Sequence, residues 1–156
     1  MRHGSRSPAY SSIVAAGRNG CILHYTENTS QIRDGDLILI DAGCELDCYA
    51  SDITRTFPAN GRFSPEQRAI YDIVLAAQYA SIEAIGPDRS WNESHDASLR
   101  VITAGLVELG LLKGDVDELI AAEVYRQTMT ACPVSGAVSA FVLKMMWWSP
   151  KRVVRC

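Results

Sequence analysis

The 156-residue sequence predicts an α+β fold, an antiparallel sheet with helices on one face. Three observations carry that expectation. The apolar run Leu37-Ile38-Leu39-Ile40, launched by the turn residues Asp34-Gly35-Asp36, reads as a strand buried on both faces. A second extended stretch, residues 49–56, returns after a tight connection, as in an antiparallel hairpin. Apolar residues then switch from strand to helical spacing after Ser64.

Taken in order, residues 12–16 and 20–25 read as short strands separated by the turn Gly17-Arg18-Asn19-Gly20. Ser64-Pro65-Glu66-Gln67 is a capping box with proline at the first helical position. Behind it, Ile70, Ile73, Val74, Ala77 and Ala80 recur on one helical face until Gly86-Pro87. A second helix is expected from near Asn92, with Leu99, Ile102, Leu106 and Leu109 along one side before Gly110. A third starts around Asp115 and reaches Tyr125.

Composition narrows the class. With 47% hydrophobic and 21% charged residues, the chain describes a globular domain rather than a disordered or fibrous one. A net charge of −3 lacks the basic excess of a nucleic-acid binder. No apolar run approaches the roughly 20 residues that span a bilayer, and the polar start has no secretory h-region. Cys21, Cys44, Cys48, Cys132 and Cys156 form an odd, scattered set without a CxxC pair, which suits reduced thiols in a cytoplasmic protein. Oligomeric state leaves no trace in the sequence.

The character changes at residue 128. Residues 1–127 carry consistent caps, turns and periodicity, whereas residues 128–156 form an aberrant tail. Its Met145-Met146-Trp147-Trp148 cluster has no amphipathic pattern around it, and Lys151 to Cys156 is a basic end.

The chemical signal is a pair of carboxylates. Asp41 ends a buried strand, where an unpartnered charge costs several kcal/mol, and Asp52 stands on the returning strand. A hairpin turning on Leu46-Asp47 places Asp41 directly opposite Asp52, with Cβ atoms about 5 Å apart and like charges repelling. One resolution is a hard divalent cation between them, since oxygen ligands suit Mn, Mg or Ca. The other is that one carboxylate pairs with Arg55 or Arg62 while its neighbour faces water. His24, closing the stretch Cys21-Ile22-Leu23-His24, reads alone as an ordinary strand-end histidine. Beside a carboxylate pair it becomes a candidate proton shuttle or substrate-orienting donor. His95, among polar neighbours at a helix start, reads as a surface residue.

The strings NGCILHYTEN (19–28), GDLILIDAGCE (35–45), YASDITRTFPANGRFSPEQRAIYDIVLAAQ (49–78) and GLLKGDVDELI (110–120) resemble the catalytic domain of the Xaa-Pro aminopeptidase (aminopeptidase P) family. These are metallopeptidases of the pita-bread fold, and the resemblance spans residues 2–127. It implies a two-manganese centre with Asp41 and Asp52 as metal ligands, Asp52 bridging, and His24 among the histidines that position substrate. The implied reaction releases the first residue from peptides with proline second. Cys48 stands where relatives often carry a turn glycine. The family's later ligands, a histidine and two glutamates, have no matching motif, so the resemblance implies a partial pita-bread domain with an incomplete site, inactive alone.

The competing expectations are a non-catalytic fragment or a peptide-binding remnant. A remote one is histidine acid phosphatase, which Arg2-His3-Gly4-Ser5-Arg6-Ser7-Pro8 resembles through RHGxRxP. The tail carries its own reading. Codons for residues 136–149, shifted by one base, can encode RGIGIRIEDDVVV, which resembles the aminopeptidase P segment around the final glutamate; residues 128–156 thus read as out-of-frame product.

Overall fold

The computed structural model describes residues 4–124, which fall into two compact units, residues 4–63 and residues 64–124. The tail, residues 128–156, and His3 lie outside the described residues.

The first unit is built from strands β1 (Ser7–Pro8), β2 (Ile13–Ala16), β3 (Leu37–Ala42), β4 (Cys44–Leu46), β5 (Tyr49–Ala50) and β6 (Ile53–Pro58), with a 3-10 helix, Gly17–Cys21, after β2. All strand pairs are antiparallel. They form two three-stranded sheets rather than one, ordered β2-β3-β6 and β1-β4-β5. β3 is the central strand of the first sheet, and Leu37, Ile38 and Leu39 are buried, as the uninterrupted apolar run requires.

Residues 20–25 are not a strand; they finish the 3-10 helix and pass through turns, with Ile22 and Leu23 about half exposed. A short apolar run does not by itself distinguish a strand from other packed structure, and here only Gly20 and Tyr25 of that stretch are buried. The hairpin turns on Asp47-Cys48, not Leu46-Asp47. Both turn residues have positive φ, 50° and 67°, as a two-residue hairpin turn of the primed type requires. Partner numbers therefore add to 95 along the hairpin, and Asp41 faces Thr54 instead of Asp52. The returning stretch is also broken at Ser51-Asp52, where the chain passes from one sheet to the other.

The second unit comprises α1 (Pro65–Glu83), α2 (Trp91–Glu108) and α3 (Val116–Ala121). Ser64 caps α1 in a full capping box with Gln67. Ser90 does the same for α2 with Glu93, so α2 starts one residue before Asn92. Ile70, Val74 and Ala77 on α1, with Leu99, Ile102 and Leu106 on α2, are buried; Leu109 is exposed. The two helices approach closely at Gly105, where a Cβ would lie 2.7 Å from Ile73. Asp115 caps α3, which ends at Ala121, short of Tyr125, because Glu123 adopts a left-handed φ of 52°. His95 is partly buried rather than fully exposed. Among the described residues no helix is long and apolar enough to cross a membrane.

Candidate metal centre

The site begins where β3 ends. Asp41 is fully buried, and its Oδ1 accepts a 2.7 Å hydrogen bond from the Tyr10 hydroxyl. The same hydroxyl lies 3.0 Å from Oδ1 of Asp52. The two carboxylate oxygens are thus bridged by one phenol, and the sum of those distances bounds their separation. This convergence survives the corrected register because the error is two residues, an even number. A shift of one would send the side chain to the other face, whereas a shift of two leaves Asp52 diagonal to Asp41 on the same side.

Gly43 makes the convergence sterically possible. On the common register it faces Asp52, at the point where the chain leaves β3 for β4. A Cβ there would overlap the Ser51 carbonyl oxygen and approach Cε1 of Tyr10 to 3.1 Å. Ser51 is drawn in from the other side, its N–H donating to the Cys44 carbonyl and its hydroxyl accepting from the Cys44 N–H, both at 3.0 Å. Tyr10 is brought up by the preceding residue, whose N–H donates to the Gly43 carbonyl at 3.0 Å.

The group between the carboxylates is therefore a phenol, where the sequence led to the expectation of a cation between them or of one carboxylate paired with Arg55 or Arg62. Arg55 donates instead to the Thr54 carbonyl at 2.8 Å. A phenol carries one proton, so it cannot fully serve two carboxylates at once. Tyr10 holds that proton more tightly than an ordinary tyrosine: burial comes first, and the Asp52 charge and hydrogen bond add to it. Tyr10 was missed in the sequence because it lies 31 residues from Asp41 and 42 from Asp52, with no motif linking them.

His24 occupies the turn after the 3-10 helix at φ 56°. Together with Asp41, Ile13, Ala15 and Leu39 it lines a cavity of about 20 Å³, room for a single water-sized occupant. Asp41 is thus shared between the cavity and the carboxylate pair, while Asp52 is absent from the cavity wall.

In kind, two convergent carboxylates suit a hard divalent cation, which favours oxygen ligands. In number they fall short: among the described residues no group of three or more His, Cys, Asp or Glu could hold a metal ion.

Residues 1–131 match metallopeptidase family M24. The chain is 59% identical over 126 residues to the Xaa-Pro aminopeptidase of Haemophilus influenzae, covering 81% of this chain and 29% of that protein. It is 58% identical over 125 residues to the Escherichia coli Xaa-Pro aminopeptidase, covering 80% and 28%. Among solved structures it is similar to Pseudomonas aeruginosa aminopeptidase PepP, with a TM-score of 0.79 and 71% identity over 81% of this chain and 28% of that one. Zinc-substituted Escherichia coli aminopeptidase P in complex with product gives a TM-score of 0.77 at 57% identity, over 81% and 29%. The chain spans less than a third of the length of these relatives. Its antiparallel sheets and helices are part of their α+β pita-bread fold, and the metal-substituted relative carries a divalent metal. By family match, identity and fold together, the chain belongs to metallopeptidase family M24.

Proposed function

We propose that residues 1–127 supply the first half of a catalytic domain that releases the amino-terminal residue from peptides with proline second. Asp41 and Asp52 would be two of the oxygen ligands of its divalent metal centre, manganese by preference, and His24 would orient substrate or move a proton beside it. When bound, such a metal supplies Lewis acidity at the scissile carbonyl. The observation that carries the reading is the convergence of Asp41 and Asp52 on one phenolic oxygen. Like charges brought together, one of them at a buried strand end, are stabilised by a cation. Tyr10 would orient both carboxylates and keep its own proton while doing so. His24, exposed on its outer side and lining the same cavity as Asp41, can reach a ligand without leaving the site. The exposed thiols of Cys44 and Cys48 support a reducing, cytoplasmic setting.

A chimera tests this. The 125 residues matching the Escherichia coli Xaa-Pro aminopeptidase replace the corresponding segment of that enzyme. Manganese-dependent release of the first residue from an Xaa-Pro peptide is expected. Asp52→Asn should lower its rate by more than the roughly 10- to 100-fold that losing a partner of a metal ligand costs. A folded chimera that is inactive, or whose rate ignores Asp52→Asn, overturns the proposal.

A further inference from the structure

The loop that carries His24 is held by a few side-chain hydrogen bonds rather than by a backbone ladder. His24 adopts a left-handed φ of 56°, which non-glycine residues disfavour. The preceding Ile22 and Leu23 are about half exposed while the following Tyr25 is buried, and no strand or α-helix lies between Cys21 and Leu37. A direct tie from the loop to the edge of the sheet is the side chain of Asn28. Its Oδ1 accepts from the Val14 N–H at 2.8 Å, and its Nδ2 donates to the Ser12 carbonyl at 2.9 Å. Among the described residues, β2 pairs with β3 on one side only. One side-chain amide therefore does on its other side what a neighbouring strand would do, filling the donor and the acceptor of alternate residues.

The position of that grip matters. Ser12 and Val14 flank Ile13, and Ile13 is the register partner of Asp41. Asn28 thus indexes the loop against the point of the sheet that faces the buried carboxylate. His24, four residues earlier, lines the same cavity as Ile13 and Asp41. A second tie lies at the far end of the loop, where the Ser30 hydroxyl accepts from Asn19 Nδ2 at 2.7 Å and lies 3.2 Å from the Tyr25 hydroxyl. Asn28 also suits its own backbone, since its φ of 51° is one that asparagine tolerates.

We infer that Asn28 is a positioning residue: through its paired hydrogen bonds to Ser12 and Val14 it sets the place of His24 relative to Asp41. The inference rests on the proposed function for what His24 does, though not for where it is held.

The test is nuclear magnetic resonance on the isotope-labelled 156-residue chain. The readout is contact between the His24 ring and the methyl groups of Ile13 and Leu39, with the cross-strand contact between Ile13 and Asp41 as an internal control. Asn28→Gly keeps the left-handed backbone and deletes the amide. It should abolish the His24 contacts and speed Val14 amide exchange at least 10-fold, with the control unchanged. Asn28→Asp keeps the acceptor for Val14 but sets an anion against the Ser12 carbonyl, and should roughly halve the His24 contacts. If Asn28→Gly folds and His24 stays seated, the inference is overturned. If that variant does not fold, unchanged His24 contacts in Asn28→Asp overturn it. None of these readouts needs a metal or turnover, so an inactive chimera would remove the functional reading and leave this one standing.

Discussion

At the scale of single residues, the site turns on Tyr10 and Gly43. Tyr10 presents its hydroxyl to both carboxylates, and a hydrogen bond to a charged group contributes about 1.5–3 kcal/mol. Tyr10→Phe should therefore lower the unfolding free energy of the metal-free chain by about 2 kcal/mol, read as a fall in the urea midpoint at constant slope. A change below about 0.5 kcal/mol, the usual range for a surface substitution, would show that the bridging contact carries no weight. Gly43 acts by absence: any Cβ would collide with the Ser51 carbonyl, a backbone atom that cannot rotate away. Overpacking of that kind costs about 1–3 kcal/mol or more. Gly43→Ala should lie at the upper end and separate Asp52 from Tyr10, which a structure of the variant would reveal.

At the scale of elements, the hairpin and the helix caps give separate tests. Cys48 holds a left-handed φ of 67°, a conformation worth roughly 1–2 kcal/mol against a residue with a Cβ. Its backbone N–H donates to Glu45 at 2.7 Å, a bond that any residue can make. Cys48→Gly should raise stability by about 1 kcal/mol without moving the register, checked by thermal unfolding. In α1 the Ser64 hydroxyl accepts from the Gln67 N–H and donates to Glu66 at 2.8 Å. Backbone N–H and then the Ser64 hydroxyl hold Glu66 below its ordinary value of 4.5. A depressed carboxylate pKa contributes stability above the unfolded value, lost as pH falls through the folded one. Ser64→Ala should cost about 1 kcal/mol and move the Glu66 titration upward, towards its ordinary value, in a carboxyl-carbon titration.

At the scale of the whole chain, the limiting quantity is the number of donors. On the proposed reading Asp41 and Asp52 would attract a divalent cation, but two carboxylates leave most of its coordination to water. The 156-residue chain by itself is expected to bind manganese weakly, with a dissociation constant of roughly a millimolar, comparable to the loosest calcium sites. It is expected not to turn over an Xaa-Pro peptide. Water-proton relaxation on manganese titration reads the first, and Asp41→Asn should abolish the effect. Micromolar binding that survives Asp41→Asn would move the site elsewhere.

Much was legible without coordinates because the signals are local. A capping box needs only Ser64 and Gln67, three residues apart, and both of its hydrogen bonds are present. The buried strand announced itself through four consecutive apolar residues, and the carboxylates through their place at its end and on its return. The class, the first two helices and the matching strings were thus determined by sequence alone. The register, the break at Ser51-Asp52, the division into two sheets and the phenol between the carboxylates were decided only in three dimensions. Each of these depends on partners distant in the chain: a turn whose residues accept positive φ against propensity, a backbone oxygen occupying the space of a missing Cβ, and a tyrosine delivered by a strand pairing more than 30 residues away. Local preference is additive along a sequence, whereas such contacts exist only once separate segments have been packed against each other.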